Sequence, residues 1–268
     1  MIEYYGPGAS SISCTGMATI GNMGAEVGAT SSIFPYTQSM GDYLRHTERE
    51  GIARAAEGAL GYLNRDEGSE YDRHIEIVSI WLPWVIDLGS RLTRPLTTDQ
   101  NLSELEPHIN GPFTPDLSSP IRGFPEQVKT NPSWPVEISA ALIGSCTNSS
   151  YEDFSRAASI LDQARRSKVP LKTQLLVAPG SEEIRATLER DGILEKFRQA
   201  GGKILANACG ACVGQWERPD MKKGTPNSIV SSFNRNFVGR QDGNPQTHSF
   251  VAGPEVSAYE SARTTFGD

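Results

Sequence analysis

The sequence predicts an α/β protein, a three-layer α/β/α arrangement with mainly parallel sheets, and the pattern from residue 136 onward carries most of this prediction. Short apolar runs alternate there with segments of helical periodicity, which is typical of parallel strands covered by helices on both faces. The chain has 268 residues, of which 37% are hydrophobic. This length suffices for one large domain or two ordinary ones.

The elements of this region follow one another regularly. Apolar runs predict strands over 138–143, 171–177, 203–206, 229–233 and 248–251. Ser150 begins a capping-box pattern before a helical stripe that runs to Leu161. Residues 179–181 cap a second helix that extends to about Arg190, and a short third helix ends at the glycine pair 201–202.

Three regions divide the chain. Residues 1–106 read as a partial α/β domain, the Pro- and turn-rich stretch 107–135 as a connection, and 136–268 as a second α/β/α domain. Small residues over 8–36 indicate a tightly packed helix that places Asn22 and Glu26 on one face. Glu26 is then either a solvated surface acid or a buried functional carboxylate.

The segment 78–100 differs from its surroundings, since it has no clear period and holds two of the four tryptophans. A loop of this length without structure is unusual in a compact domain. We therefore predict that 78–100 is a segment foreign to the fold, either an unremoved intron or a surface insertion. The helical and charged stretch 37–76 before it reads as scaffold.

Charge and composition exclude several classes of function. The net charge is −7, and no basic run exceeds two residues, which argues against a nucleic-acid partner. No apolar run reaches the length of a membrane span, and no secretory signal opens the chain. Four cysteines in 268 residues are too few for a disulfide scaffold, so we expect a reducing compartment.

The cysteines carry the clearest chemical signal. Cys209 and Cys212 stand at C-x-x-C spacing among small residues, a motif shared by zinc, redox-disulfide and iron–sulfur sites. The stretch 143–150 adds one cysteine, Cys146, rather than two. Three thiolates suit a 4Fe–4S cluster with one iron left open, whereas no fourth zinc ligand is visible.

Predicted strand ends bring these residues together. Cys146 follows the first strand of the second domain, Cys209 the third, and the segment 234–236 the fourth. Ligands of open α/β sheets bind beyond the carboxyl ends of the strands. The sequence therefore predicts that the thiols and an arginine, Arg235, converge at one edge of one sheet.

Several of these segments together resemble the aconitases. They are SISCTGMATI (11–20), NMGAE (22–26), PHINGPFTPD (107–116), SCTNSS (145–150), ACGACVGQW (208–216) and NRNFVGR (234–240). The resemblance covers nearly all of residues 2–256 apart from 78–100. Gly21 departs from it, since the family usually has a cysteine there.

The resemblance implies roles for nine residues. Cys146, Cys209 and Cys212 would hold three irons of a 4Fe–4S cluster, whose fourth iron would act as a Lewis acid on substrate. Glu26 would lie beside the iron-bound water, and three asparagines near the cluster: Asn22, Asn148 and Asn234. Arg235 and Arg240 would bind substrate carboxylates. The family reaction converts citrate to isocitrate through cis-aconitate.

The resemblance also sets expectations for the whole chain. It corresponds to part of the family's second domain and most of the third, so the first-domain histidine and aspartate and the swivel-domain serine base would be absent. We expect a chain that is inactive alone and needs those domains or a partner chain. The alternative is a non-catalytic remnant or gene-model fragment that binds a cluster or a partner. The family favours the mitochondrial matrix and leaves a cytoplasmic location open.

Overall fold

A computed structural model describes residues 1–66, 68–75 and 104–267. The chain divides into two units, one formed by Met1–Gly21 with Ala29–Glu106 and the other by Asn22–Gly28 with Pro107–Asp268. The predicted foreign segment 78–100 lies outside the described residues. No helix among those that are described is long and apolar enough to cross a membrane.

The first unit is mostly helical. Its elements are β1 (Ile2–Glu3), α1 (Pro7–Ser11), α2 (Cys14–Asn22, whose last residue is counted with the second unit), β2 (Ser32–Ile33), α3 (Gln38–His46), α4 (Glu50–Gly58) and α5 (Leu60–Leu63). β1 and β2 pair in parallel. Thr37 caps α3, since its side chain accepts a hydrogen bond from the Met40 amide. Of the stretch 37–76 that the sequence predicts to be helical, the part up to Leu63 is confirmed, whereas the described residues 64–66 and 68–75 form no helix and the prediction is wrong there.

The predicted helix around residue 22 is shorter than the pattern suggests. α2 ends at Asn22, and a separate 3₁₀ turn covers Gly24–Val27. Asn22 and Glu26 therefore do not share one face of a continuous helix, and that prediction is wrong. The small residues that suggested tight packing also allow the backbone to change its winding here.

The second unit holds a sheet, and two strands and one helix precede its strand β5: β3 (His108–Asn110), β4 (Ser118–Pro120) and α6 (Phe124–Thr130). The stretch 107–135 is thus part of this unit rather than a bare connection. The prolines of this stretch suggested a connection without regular structure. They occur, however, at positions of strands and helices that tolerate proline. Pro120 ends an outer strand, and Pro125 stands in the first turn of α6.

The remaining elements are β5 (Ile138–Gly144), α7 (Tyr151–Arg166), β6 (Gln174–Ala178), α8 (Glu182–Arg190), α9 (Ile193–Ala200), β7 (Lys203–Ile204), β8 (Asn227–Ser231), β9 (Thr247–Ala252) and α10 (Pro254–Glu260). The sheet has the order β4-β3-β9-β8-β5-β6-β7. All pairs from β9 to β7 are parallel, and β3 and β4 are antiparallel to their neighbours. The predicted α/β class with a mainly parallel sheet is confirmed.

The helix caps that the sequence predicts in this unit are confirmed. Ser150 and Asp153 form the predicted capping box at the start of α7, and Ser181 caps α8. On one face of the sheet, Ile143 and Val177 pack with helical residues such as Phe197.

The other face is covered differently. Leu142 and Leu176 pack there against Ala211, Cys212 and Trp216, which belong to the segment between β7 and β8. The second covering layer is therefore irregular in this part of the described chain, where the prediction expects helices. The cysteine segment itself forms part of the core, which fixes its position on the sheet.

Candidate functional site

The site begins at a tight turn after β5. Gly144 has a φ of 116° and Ser145 a φ of 65°, both in the left-handed region. The Ser145 amide donates to the Ala178 carbonyl at 2.9 Å, and a Cβ on Gly144 would stand 1.9 Å from that carbonyl oxygen. Only glycine fits such a close approach. The turn leaves the next residue, Cys146, exposed at the carboxyl end of the strand.

An asparagine side chain faces this cysteine. Asn22 Nδ2 lies 3.5 Å from Cys146 Sγ. Its Oδ1 accepts hydrogen bonds from Thr147 Oγ1 at 3.0 Å and from Asn234 Nδ2 at 3.5 Å. Because the oxygen is held by two donors, the amide N–H groups of Asn22 are directed at the sulfur.

The C-x-x-C pair lies in a short turn. Residues Gly210–Cys212 form a 3₁₀ turn, and the Cys212 amide donates to the Cys209 carbonyl at 2.9 Å. Cys209 is exposed, whereas Cys212 is only 5% exposed. Burial raises the pKa of the Cys212 thiol, and the nearby Arg240 guanidinium partly offsets this effect.

Arg240 and Asn234 complete the surroundings of Cys212. Arg240 Nη2 lies 3.2 Å from Cys212 Sγ and 3.3 Å from Asn234 Oδ1. The thiol itself lies 3.9 Å from Asn234 Oδ1. Asn234 therefore joins the two cysteine environments, since its amide nitrogen contacts Asn22 and its oxygen faces Cys212 and Arg240.

A second charged pair lies in the same unit. Arg235 Nε donates to Glu26 Oε1, and this contact raises the pKa of Arg235. The Glu26 side chain is 8% exposed, while that of Arg235 is 43% exposed. The Glu26 side chain is therefore buried rather than a solvated surface acid, and its function stays a prediction. Its Oε2 is buried without a hydrogen-bond partner among the described residues.

Asn148 differs from Asn22 and Asn234 in its hydrogen-bond partners. Its Nδ2 donates to the Ser232 carbonyl at 2.7 Å, and the Ser232 hydroxyl in turn accepts from the Gly144 amide at 3.0 Å. Asn148 thus ties the turn after β5 to the end of β8. The described contacts join its amide to the protein backbone and not to a thiol.

Comparison with known proteins identifies this set of segments. The sequence model of the Aconitase family (aconitate hydratase) matches residues 1–89 and 96–262. The chain belongs to the aconitase family. The match includes residues 78–89 and leaves out 90–95, and the foreign origin of 78–100 stays a prediction.

Individual relatives agree with the family match. The chain is 55% identical to the mitochondrial aconitate hydratase of Gracilaria gracilis and 56% to that of Aspergillus fumigatus, each over 256 residues. It is 53% identical to that of Schizosaccharomyces pombe. These alignments cover 96% of the chain but 29–30% of each relative. The chain therefore spans about 30% of the length of the aconitases that it matches.

None of the four cysteines of this aconitase-family chain is in a disulfide, so the three predicted ligands are free thiols. No three His, Cys, Asp or Glu side chains converge on a single-ion site within the described ranges. A cluster differs from one ion because each thiolate binds its own iron atom. The Asn22 amide lies beside Cys146 and the Arg240 guanidinium beside Cys212, while Cys209 is exposed. Together with the unpartnered Glu26 Oε2, these residues are consistent with such a group.

Sequence reasoning missed a buried arginine behind the cysteine segment. The Arg218 side chain is 3% exposed and donates to Asn227 Oδ1 at 2.9 Å and Ser139 Oγ at 3.1 Å. It also lies 3.7 Å from the equally buried Asp242. Its guanidinium stacks 5.0 Å from the Trp216 ring centroid. The position of Arg218, two residues after Trp216, was the only sequence feature that could have pointed to it. Its hydrogen-bond partners come from distant segments.

Proposed function

We propose that this chain is the part of an aconitate hydratase that holds a 4Fe–4S cluster and binds the carboxylates of the substrate. One observation carries the proposal. Asn22 and Asn234 contact each other and reach toward Cys146 and Cys212, while Arg240 lies against the second of these thiols. Thiols, amide donors and cations from separate segments of the chain thus meet within one unit.

Three residues would hold the cluster. Cys146, Cys209 and Cys212 provide three thiol ligands, which leaves one iron without a protein ligand. When bound, the cluster supplies a Lewis acid for the hydroxyl and carboxylate of the substrate. Asn22 would donate an N–H group to sulfur and so adjust the electronic properties of the site, while Asn234, whose amide nitrogen donates to Asn22, would hold that donor in place.

Two arginines would orient the substrate. The planar guanidinium group binds a carboxylate through two parallel hydrogen bonds. Arg235 is partly exposed, so it can meet a ligand from solvent. Arg240 Nε is buried and has no partner among the described residues, which leaves it a donor to offer.

Glu26 would accept a hydrogen bond from the reacting hydroxyl group of the substrate. One of its oxygens pairs with Arg235, and the other, Oε2, is buried and unpartnered within the described residues. Such an oxygen can accept a hydrogen bond from a substrate hydroxyl or a water molecule. The pairing with Arg235 also keeps the carboxylate in place while a ligand binds.

The substrates follow from the relatives, which are named mitochondrial aconitate hydratases. We propose citrate and isocitrate, with cis-aconitate between them, as the substrates of the complete enzyme. The mitochondrial matrix is the proposed location, with a cytoplasmic one as the alternative. The acidic net charge of −7 fits neither a nucleic-acid partner nor an anionic surface.

These 268 residues by themselves would not turn over substrate. Dehydration needs a base within hydrogen-bond reach of the proton that is removed. The residues that gather at the site would bind and orient the substrate. Glu26 would not provide the base, since its carboxylate is paired with Arg235. Since the chain spans about 30% of its relatives, the rest of the catalytic apparatus would come from further segments or a partner chain. The same coverage supports the alternative of a non-catalytic, cluster-binding remnant.

Anaerobic reconstitution of the purified chain with iron and sulfide tests the proposal. Brown absorbance should appear in the wild type and in Cys14→Ser, and should be absent in Cys209→Ser. Equal loss in both variants would refute the ligand assignment. Ultraviolet assay of the reconstituted chain with cis-aconitate should find no turnover; a rate near that of a full-length aconitate hydratase would show that the chain is catalytically sufficient.

A further inference from the structure

The segment that carries the C-x-x-C pair meets the segment that carries both arginines through glycine backbones. A Cβ on Gly214, two residues after Cys212, would stand 2.8 Å from the Gly239 carbonyl oxygen. A Cβ on Gly243 would stand 2.8 Å from the Gly214 carbonyl oxygen. Both glycines also have positive φ angles, 78° and 66°. The two segments are therefore in backbone contact that no side chain can enter.

This contact lies next to the polar contacts of the site. Gly239 directly precedes Arg240, whose Nη2 lies 3.2 Å from Cys212 Sγ and 3.3 Å from Asn234 Oδ1. The Gly243 amide donates to the Gly239 carbonyl at 3.2 Å, which closes the arginine segment into a compact turn. The position of the guanidinium relative to the thiol thus depends on how closely the two backbones approach.

We propose that Gly214 and Gly243 are positioning residues, which set the separation between the cysteine segment and Arg240 and thereby hold Cys212 against the guanidinium. The consequence of this contact for the reaction rests on the proposed function. The contact between the two backbones does not, since it is present in the chain without a cluster.

The size of the effect follows from the distances. An ordinary Cβ contact needs about 3.4 Å, so alanine at either position pushes the backbones apart by about 0.6 Å. A shift of that size disturbs the 3.2 Å contact between Arg240 Nη2 and Cys212 Sγ. It also opens the packing around Cys212, which is 5% exposed in the intact contact.

Matched glycines separate the contact from backbone strain. Gly192 has a φ of 71° and Gly224 a φ of 91°, and each has nothing within 4 Å of its Cβ position. Gly192→Ala and Gly224→Ala therefore carry the positive-φ cost without the close approach. Gly214→Ala and Gly243→Ala carry both.

The first experiment uses the cluster-free 268-residue chain. Alkylation of each cysteine by iodoacetamide is followed by mass spectrometry, with Cys209 as the internal reference. The Cys212 rate should rise about fivefold or more in Gly214→Ala and Gly243→Ala, because local opening exposes the thiol. It should change less than about twofold in the two control variants. Circular dichroism checks that each variant is folded.

The second experiment compares the electron paramagnetic resonance line shape of the reconstituted cluster after mild oxidation in the same variants, which should change in the first pair alone. Equal alkylation rates in all four variants would overturn the inference. So would unfolding of Gly214→Ala or Gly243→Ala while the controls fold, since the contact would then serve the fold as a whole. A wild type that takes up no cluster would refute the proposed function but leave the alkylation result to decide the inference.

Discussion

Substitution of Gly144 by alanine should destabilise the second unit strongly and displace a predicted ligand. The new Cβ would stand 1.9 Å from the Ala178 carbonyl oxygen, where an ordinary contact needs about 3.4 Å. The positive φ of 116° costs alanine about 1 kcal/mol. Separation of the strand ends removes the Ser145–Ala178 hydrogen bond, about 1 kcal/mol, and repacking adds about 2 kcal/mol. We expect a total loss of about 4 kcal/mol.

Urea unfolding followed by circular dichroism measures this loss in the free energy of unfolding. Gly192→Ala is the matched control, because Gly192 has a φ of 71° and nothing within 4 Å of its Cβ position, so we expect a loss of about 1 kcal/mol there. Gly144→Ala should also bind less iron on reconstitution, since Cys146 follows the displaced turn. If the two variants lose the same stability, the close approach does not matter and the reasoning fails.

Three further changes test the surroundings of the site. Arg218→Met should lower the free energy of unfolding by about 3 kcal/mol or more, because it leaves Asp242 buried without its cation; urea unfolding with no such loss would contradict the network. Burial lowers the pKa of His248, so the folded chain binds this proton less well than the unfolded chain, and stability should fall as pH drops below about 6.5. His248→Gln should flatten that dependence in pH-resolved unfolding. Glu26→Gln should weaken citrate binding by the reconstituted chain, since the amide has one acceptor oxygen where the carboxylate has two, one for Arg235 and one for the substrate hydroxyl; unchanged calorimetric affinity would exclude this role.

The strand ends of the second unit could be predicted from sequence because each signal is local. Apolar runs locate the buried strands, and the cysteine and arginine segments follow them directly. Parallel strands then bring Cys146 and Arg235 to one edge of the sheet without any knowledge of side-chain contacts. The capping box at Ser150 is equally local, and it is found as expected.

Other features depend on contacts between distant segments. The break between Asn22 and Glu26 is not visible in apolar spacing, which continues through both. The role of 107–135 depends on pairing of β3 with β9, more than a hundred residues later. Arg218 looks like a surface charge until its partners from β5 and β8 are known. Pairings of this kind have no local signature.

Iron content and electron paramagnetic resonance of the reconstituted wild-type chain test the central claim, that Cys146, Cys209 and Cys212 hold a 4Fe–4S cluster with one open iron. Mild oxidation should release about one iron in four and produce the resonance signal of a three-iron cluster, because no thiolate retains the fourth iron. Serine at any of the three positions should prevent cluster formation. Retention of all the iron on oxidation, or binding of a single metal ion per chain in place of a cluster, would contradict the account.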